Sequence, residues 1–362
     1  MVAGLQAVGA TDGQASSGLL VLCLTTAITS MVLAWVYRMP ISTAWSTPGA
    51  ALLVAAGLDD ANFAASVGAF ILCGVLIVVC GLWPALGRLI TRIPTPLASA
   101  MLAGILFPIC LAPVTAMIEV PQLAWPIIVV WVLLFRLAPR WAVPAAMVAA
   151  AAVIAVYAGD DWLQTAAIAP QLTFVAPVFD PIIMVSLGLP LFIVTMAGQN
   201  VPGFVVMKTF GYQTPTRSAL VSTGLGTAAG ASFGGHAINL AAITAAIMAS
   251  PEAHPDKAKR WVATFTAGII YILLGLGAGV ATALVSAAPT ILIIAVAGFA
   301  VLGALITSVT SALEDSSQRM PAIITFLVTA SGITILGIGS ALWGLLAGAL
   351  LMVWLGWGRR LR

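Results

Sequence analysis

Two short segments combine small and polar residues with a helix start, a pattern that can bind an anion. The first is residues 42–52, Ser-Thr-Ala-Trp-Ser-Thr-Pro-Gly-Ala-Ala-Leu, in which Thr47 is predicted to be a helix N-cap and Pro48 the first helical residue. The preceding chain, Met39 to Trp45, must then be extended. A helix N-terminus leaves N–H groups unbonded and carries about half a positive charge. Ser46 and Thr47 are therefore candidate anion ligands. The alternative is a proline-kinked helix whose hydroxyls bond to their own backbone.

The second segment is residues 230–240, Gly-Ala-Ser-Phe-Gly-Gly-His-Ala-Ile-Asn-Leu. Gly234 and Gly235 allow close backbone approach. His236 and Asn239 are three residues apart, so a helix would place them on one face. An ionisable residue inside an apolar run is a functional candidate, and histidine titrates in a range that suits a proton carrier. The alternative is a neutral histidine bonded to a backbone carbonyl. Together the two segments predict two half-helix N-termini that point at each other across a cavity near the membrane midplane.

A third polar site is the adjacent pair Gln199 and Asn200, near the end of an apolar run. Two neighbouring amides cannot both face lipid without a large desolvation cost. They must bond to another helix or reach a polar ligand. The following Pro202-Gly203 is predicted to break the helix.

The composition places these segments in a membrane. The chain has 362 residues, of which 62% are hydrophobic and 7% charged, against about 25% charged in soluble domains. This excludes a soluble enzyme, a secreted disulfide scaffold and a nucleic-acid binder. The apolar runs are continuous rather than alternating, which favours helical spans over barrel strands. The prediction is an all-α polytopic membrane protein without a cofactor.

The predicted spans fall into a long and a short group. Ten spans are predicted at roughly 18–36, 63–85, 97–117, 122–136, 141–158, 181–201, 261–284, 289–308, 321–332 and 336–357. Three segments are shorter and are predicted to be interrupted helices: 44–58, 217–229 and 234–249.

The charged residues predict the topology. All 14 Lys and Arg residues fall in alternate connections, and the other connections carry only acidic charge. By the positive-inside rule the basic side, which includes the C-terminus, is cytoplasmic. The pairs Asp59-Asp60 and Asp160-Asp161 have no histidine nearby, so they are interpreted as solvated loop charges and not as metal ligands.

Weak internal similarity at an offset of about 194 residues predicts two repeats, residues 1–170 with spans 1–7 and residues 171–362 with spans 8–14. Because seven crossings separate equivalent positions, the second repeat is inverted relative to the first. The counterpart of span 181–201 would begin upstream of Met1. The first span is therefore expected to be largely missing from this chain.

Three stretches resemble the benzoate/proton symporter family of the BenE type. They are residues 38–52 (Arg-Met-Pro-Ile-Ser-Thr-Ala-Trp-Ser-Thr-Pro-Gly-Ala-Ala-Leu), 189–204 (Leu-Pro-Leu-Phe-Ile-Val-Thr-Met-Ala-Gly-Gln-Asn-Val-Pro-Gly-Phe) and 233–246 (Phe-Gly-Gly-His-Ala-Ile-Asn-Leu-Ala-Ala-Ile-Thr-Ala-Ala). The resemblance covers nearly the whole chain except its beginning. It implies a bacterial inner-membrane importer of benzoate coupled to protons, distantly similar to uracil/proton symporters.

The resemblance also implies a seven-plus-seven inverted-repeat fold with two short strand/half-helix segments, here Met39–Gly57 and Gly230–Ala249. The substrate would lie between them and the eighth span. The residues carried over to that site are Ser46, Thr47, Gln199, Asn200, Gly234, Gly235, His236 and Asn239. Uracil symporters use glutamates on the eighth and tenth segments, where this chain has amides and a histidine, so the proton carrier is not inherited from them.

The mechanistic hypothesis is that His236 carries the proton. Its imidazolium would pair with the benzoate carboxylate, and both would cross as a neutral unit. Glu119 is the reserve candidate. The alternatives are a carrier of the same fold for another anion or a nucleobase, and a passive anion channel. An intramembrane enzyme is disfavoured, because no carboxylate accompanies the single histidine at depth. The oligomeric state stays open, a homodimer included.

Overall fold

The computed structural model describes residues 1–56, 62–83, 94–159 and 169–359, with the backbone alone for 356–359. The helices are α1 (Val2–Ala7), α2 (Asp12–Tyr37), α3 (Thr47–Ala56), α4 (Phe63–Leu82), α5 (Thr95–Glu119), α6 (Pro121–Leu137), α7 (Ala142–Ala158), α8 (Pro181–Thr209), α9 (Thr216–Ala231), α10 (Ala242–Ala249), α11 (Trp261–Leu276), α12 (Ala278–Ser286), α13 (Thr290–Leu313), α14 (Arg319–Ala330) and α15 (Ser340–Arg359). The strands are β1 (Thr43–Trp45), β2 (Ile238–Leu240), β3 (Thr334–Ile335) and β4 (Ile338–Gly339). The predicted aspartate pairs 59–60 and 160–161 lie outside the described residues.

The exterior is that of a membrane protein. Within the described ranges, seven helices are long and apolar enough to cross a bilayer. Large apolar side chains such as Ile118 and Val156 are 80% and 84% exposed, which only a lipid environment makes favourable. The largest buried cluster joins α1, α3, α4, α5 and α8 through side chains that include Leu5, Leu53, Phe70, Leu106 and Leu191. The all-α membrane architecture is therefore confirmed.

The loops sort to two ends of the bundle. Arg140, after α6, bonds to Glu252, after α10, at 3.0 Å, so these two connections share one end, called here the basic end. At the opposite end, Gln6 of α1 donates hydrogen bonds to Asp12 and to Ser286, over 2.9 and 3.0 Å. The connections after α6 and α10 therefore lie together, and so do those after α1 and α12; the full alternation stays a prediction.

Helix α8 runs unbroken through Pro202-Gly203, so the predicted break there is wrong. The helix contains two π-helical turns, Met184–Gly188 and Met196–Asn200. Each π turn directly precedes a stretch with proline in its first turn, Pro190 and Pro202. A proline lacks the N–H for the usual helical bond and clashes with the preceding turn. The wider π turn accommodates both effects without ending the helix.

The segment predicted as an interrupted helix over 217–229 is the regular helix α9. Its glycines are packing positions and not breaks. A Cβ on Gly224 would lie 2.7 Å from the carbonyl oxygen of Gly74, and a Cβ on Gly74 would lie 2.6 Å from the nitrogen of Ala228. Helices α4 and α9 therefore approach closely enough to require glycine at this contact. The predicted span 261–284, in contrast, is divided at Gly277 into α11 and α12.

Candidate substrate-binding site

The site is organised by a two-stranded antiparallel sheet deep inside the helical bundle. Strands β1 and β2 pair in the register Thr43↔Leu240, Ala44↔Asn239 and Trp45↔Ile238. Each strand leads directly into a short helix, β1 into α3 and β2 into α10. This confirms the strand/half-helix segments expected from the family resemblance. The half-helices point toward each other, but the overlapping strands lie between their starts. In the strand register Ser46 lies opposite Ala237 and Ala241 opposite Ser42, so the two helix caps are four residues, about 13 Å, apart along the strands. A cavity between the two N-termini stays a prediction.

Helix α3 begins one residue earlier than predicted, at Thr47 instead of Pro48. Ser46, and not Thr47, is the N-cap, because the Ser46 hydroxyl accepts the backbone N–H of Gly49 over 3.1 Å. Thr47 is the first helical residue; it is half-buried and its hydroxyl makes no bond within the described chain. The Ser46 hydroxyl also accepts a hydrogen bond of 3.0 Å from Thr195 on α8. Ser46 is fully buried, so it holds the half-helix in place, and Thr47 is the more accessible of the two.

The start of α10 is held by the two amides of α8. The Asn200 Oδ1 accepts the backbone N–H of Leu240 over 2.8 Å. The Gln199 Oε1 accepts the backbone N–H of Ala242, the first residue of α10, over 3.4 Å. Because a backbone N–H can only donate, each amide must turn its oxygen toward the chain. The amide nitrogen of each side chain then points elsewhere.

The two amide nitrogens differ in their surroundings. Asn200 is fully buried, and its Nδ2 contacts the Met196 Sδ at 3.3 Å. Gln199 is half-buried, and its Nε2 has no hydrogen-bond partner among the described residues. Gln199 thus has a donor next to the α10 N-terminus that no described residue uses.

Asn239 and His236 are buried and do not share a helical face. His236 precedes β2, and Asn239 lies within it, so the predicted i, i+3 pairing is wrong. Asn239 is 0% exposed, and neither Oδ1 nor Nδ2 has a partner within the described chain. His236 is 1% exposed; its Nε2 lies 3.0 Å from the Met1 Sδ, and its Nδ1 has no partner there.

Gly234 and Gly235 shape the backbone in front of β2. Gly234 has φ +88°, and a Cβ there would lie 2.8 Å from the carbonyl oxygen of Gln14 on α2. The Ser17 hydroxyl, also on α2, donates to the carbonyl oxygen of Phe233 over 2.8 Å. Gly234 therefore serves close packing on α2, because only glycine combines this dihedral with this contact. A Cβ on Gly235 would be 3.1 Å from the carbonyl oxygen of Gly230.

Hydroxyl groups that the sequence analysis did not select anchor both strands. The Thr43 N–H donates to the Ser30 hydroxyl over 2.9 Å, and the Thr43 and Thr29 hydroxyls are 2.7 Å apart. The Ile238 N–H donates to the Thr227 hydroxyl over 3.0 Å. Such bonds satisfy strand groups that have no sheet neighbour on that side. Thr195 was also missed, although its spacing of four residues from Gln199 on α8 was a usable signal.

The far end of α10 is fastened at the basic end of the bundle. The buried Arg260 donates hydrogen bonds to the carbonyl oxygens of Ala249 and His254, over 2.6 and 2.8 Å. Its guanidinium supplies a hydrogen-bond donor to a carbonyl oxygen at the end of α10, and its positive charge complements the negative end of the helix dipole. Tyr212, in the connection after α8, donates to the carbonyl oxygen of Lys257 over 2.9 Å. Burial raises the pKa of the Tyr212 hydroxyl, which keeps it a donor.

The arrangement places an amide donor beside a helix N-terminus, and no metal-ligating cluster is found among the described residues. In the part of the chain that the structure describes, no three His, Cys, Asp or Glu side chains come together. The described Asp and Glu side chains lie at helix ends or in connections, none beside β1 or β2. The structure brings Ser46, Gln199 and Asn200 together around the strand pair and places Asn239 within it, while Gly234 and Gly235 pack against other backbone. His236 directly precedes Ala237, whose carbonyl oxygen accepts the backbone N–H of Ser46 over 2.8 Å.

Comparison with known proteins identifies the family. The family model BenE, described as benzoate membrane transport protein, matches residues 1–354. The inner membrane protein YdcO of Escherichia coli (strain K12) is 43% identical over 346 residues, 95% of this chain and 88% of that protein. The benzoate membrane transport protein of Acinetobacter baylyi (strain ATCC 33305 / BD413 / ADP1) is 34% identical over 327 residues, 90% of this chain and 82% of that protein.

The fold is similar to that of a solved transporter domain. The transmembrane domain of a cyanobacterium bicarbonate transporter, BicA, superimposes with a TM-score of 0.62 at 16% identity, over 96% of this chain and 92% of that one. At this identity the likeness shows the fold alone, a seven-plus-seven inverted-repeat transporter fold. The chain is a multi-pass inner-membrane transporter and belongs to the benzoate membrane transport family.

Proposed function

We propose that this protein imports benzoate or a similar aromatic carboxylate by proton symport, with alternating access around the β1–β2 site. The observation that carries this proposal is the free Nε2 donor of Gln199 beside the N-terminus of α10. A carboxylate placed there meets an amide donor and the positive end of a helix dipole. The absence of acidic side chains near the strands, among the described residues, avoids repulsion of the anion.

The ring of the substrate would lie on the apolar side of Gly198. This half-exposed glycine faces α5 and the start of α3: a Cβ there would be 3.3 Å from Leu102 Cδ2 and 3.8 Å from Pro48 Cγ. An apolar wall next to a single polar donor is the usual composition of a small-molecule site. It suits a flat ring that carries one carboxylate.

His236 is the proposed proton carrier. Its Nδ1 is buried without a partner in the described chain, so it can accept a proton. A lone charge at the bilayer centre costs about 2.5–3.5 kcal/mol on insertion scales. Movement of an imidazolium together with a carboxylate avoids that cost. Glu119, exposed at the end of α5, stays the reserve candidate. The basic end, with the C-terminus, is proposed to be cytoplasmic.

The test of the substrate class is initial-rate uptake of radiolabelled benzoate into proteoliposomes, with protein-free vesicles as the blank because uncharged benzoic acid crosses lipid unaided. The proposal expects a saturable rate above the blank that excess unlabelled benzoate suppresses and excess uracil, bicarbonate or sulfate does not. Suppression by one of those three compounds instead would reassign the substrate. A rate that rises linearly without saturation would favour a passive channel.

A further inference from the structure

A cavity of about 450 Å³, called here the outer cavity, lies toward the end of the bundle opposite the basic end. Its walls come from the second halves of α3 and α5, the beginning of α8, the start of α13 and the connection between α14 and α15. None of its lining residues belongs to β1, β2 or the polar pair on α8. Its volume falls in the range of about 300–1,000 Å³ that is typical of small-molecule pockets.

Among the described residues, no Asp, Glu, Lys, Arg or His lines this outer cavity. Its walls are mainly aliphatic, with Leu52, Ile105, Leu187, Ile291 and Ile294 among them. Its polar groups are Ser and Thr hydroxyls and the backbone of the α14–α15 connection. The cavity can therefore enclose an apolar ring, but it cannot neutralise a buried carboxylate.

The outer cavity lies next to the β1–β2 site, on the side that faces away from the basic end of the bundle. Thr47 begins α3 at the site, whereas Leu52 and Ala56 of the same helix line the cavity. At 1.5 Å per residue these two residues are about 7.5 and 13.5 Å further along α3 than Thr47. On α5, Leu102 faces Gly198, and Ile105, one turn later, lines the cavity.

We propose that the outer cavity is an antechamber that binds the aromatic ring of the incoming acid before the acid reaches the β1–β2 site. This inference rests on the proposed function. The ring enters the aliphatic part first, and the carboxylate stays at the mouth in water, because none of the described lining residues is a basic side chain that could pair with it inside. The antechamber therefore recognises the ring and is indifferent to the charge, whereas the β1–β2 site recognises the carboxylate.

An uncharged ring compound separates the two sites. Benzamide keeps the ring and a small polar group but has no negative charge. It should bind in the antechamber and compete poorly at the β1–β2 site. Because benzoate must pass through the same antechamber, benzamide should compete with it there, raising the KM for benzoate uptake and leaving the maximal rate unchanged.

Two glycines allow a matched test. Gly339 lines the outer cavity, and a Cβ there would meet no atom within 4 Å. Gly303 of α13 is exposed, does not line the cavity and is equally unobstructed. Gly339→Trp should fill the antechamber, and Gly303→Trp is the control for a tryptophan at an open glycine. Ala55→Trp, from the exposed cavity-lining position on α3, fills the same space from another wall if Gly339→Trp fails to fold.

The measurement is saturation-transfer NMR of benzamide with the protein in nanodiscs, with empty nanodiscs as the blank. The proposal expects a signal in the parent protein and in Gly303→Trp, and loss of that signal in Gly339→Trp and Ala55→Trp. An equal signal in all four proteins, or none in the parent, would overturn it. Since this readout needs no transport, a cavity-dependent signal together with absent benzoate uptake would refute the proposed function and not the binding of the ring.

Discussion

The side-chain oxygen of Asn200 accepts the backbone N–H of Leu240 over 2.8 Å, so a fully buried amide on α8 fixes the strand that leads into α10. The neighbouring Gln199 makes the weaker bond of 3.4 Å to Ala242 and retains a free donor. The two amides, adjacent in sequence, therefore have different roles. Asn200 positions the backbone of the site, and Gln199 is the proposed contact to the substrate.

Replacement of Asn200 should reduce stability. In Asn200→Leu the Leu240 N–H stays buried without an acceptor, at a cost of about 1–3 kcal/mol. We expect a lower apparent unfolding temperature in detergent. Asn200→Asp keeps an oxygen that can accept the Leu240 N–H. At a pH where the carboxyl is protonated, this variant should therefore lose less stability than Asn200→Leu. Equal stability of Asn200→Leu and the parent protein would show that the bond contributes nothing.

Replacement of Gln199 should affect substrate binding more than stability. Gln199→Glu keeps an oxygen that can face Ala242 but exchanges the free donor for a negative charge. A hydrogen bond to a charged partner contributes about 1.5–3 kcal/mol, so KM for benzoate should rise tenfold or more. The measurement is uptake kinetics, with unfolding temperature as the control. An unchanged KM in a folded variant would remove Gln199 from the site.

The contact between Ser46 and Thr195 can be measured by a double-mutant cycle. Ser46→Ala removes the N-cap of α3, which typically costs about 0.5–2 kcal/mol. Thr195→Val removes the donor to that cap. Residues that share a hydrogen bond show coupling of about 0.5–3 kcal/mol, so the double variant should lose less stability than the sum of the single losses. Strict additivity would mean that α8 does not hold the start of α3.

The two glycines before β2 should respond differently to alanine. Gly234→Ala places a side chain at φ +88° and 2.8 Å from the Gln14 carbonyl, where strain alone costs about 1–3 kcal/mol. Gly235→Ala has no dihedral strain and a nearest contact of 3.1 Å. We expect poor yield and a low unfolding temperature for Gly234→Ala only. Similar behaviour of both variants would contradict a special role of the Gly234 backbone.

His236→Gln tests the proton carrier. Glutamine retains hydrogen-bonding capacity but cannot be protonated in the working pH range. We expect exchange of external labelled benzoate for internal unlabelled benzoate to persist, while uptake driven by a proton gradient falls to the level without a gradient. Full gradient-driven uptake in this variant would assign the proton to another group, with Glu119 the next to test.

Much of the fold followed from the sequence because hydrophobicity and charge act over whole spans. The alternation of Lys and Arg connections and the length of the apolar runs predicted the crossings and the half-helices. Individual hydrogen bonds could not be predicted in the same way, because they depend on the positions of single atoms. Ser46 and Thr47 are both good caps, and only the bond from the Gly49 N–H to the Ser46 hydroxyl decides between them. Likewise Pro202 breaks an ordinary helix, and the π turn that rescues α8 leaves no reliable signature in one sequence.

The residues of the site could be predicted, but their individual contacts could not. Residue type and depth selected Gln199 and Asn200, but their different roles depend on which amide oxygen reaches which N–H of β2 and α10. His236 and Asn239 were paired by helical spacing, whereas the chain there is a strand and its approach. The division into repeats 1–170 and 171–362 stays a prediction.

The most direct test of proton-coupled import is the initial rate of radiolabelled benzoate uptake into proteoliposomes at one external pH, with and without an imposed inward proton gradient. Protein-free vesicles under both conditions give the passive rate. The account predicts a protein-dependent, saturable rate that the gradient increases and that a protonophore returns to the value measured without a gradient. At benzoate concentrations below KM, Gln199→Glu should lower this rate about tenfold or more. A protein-dependent rate that is the same with and without the gradient would contradict proton symport.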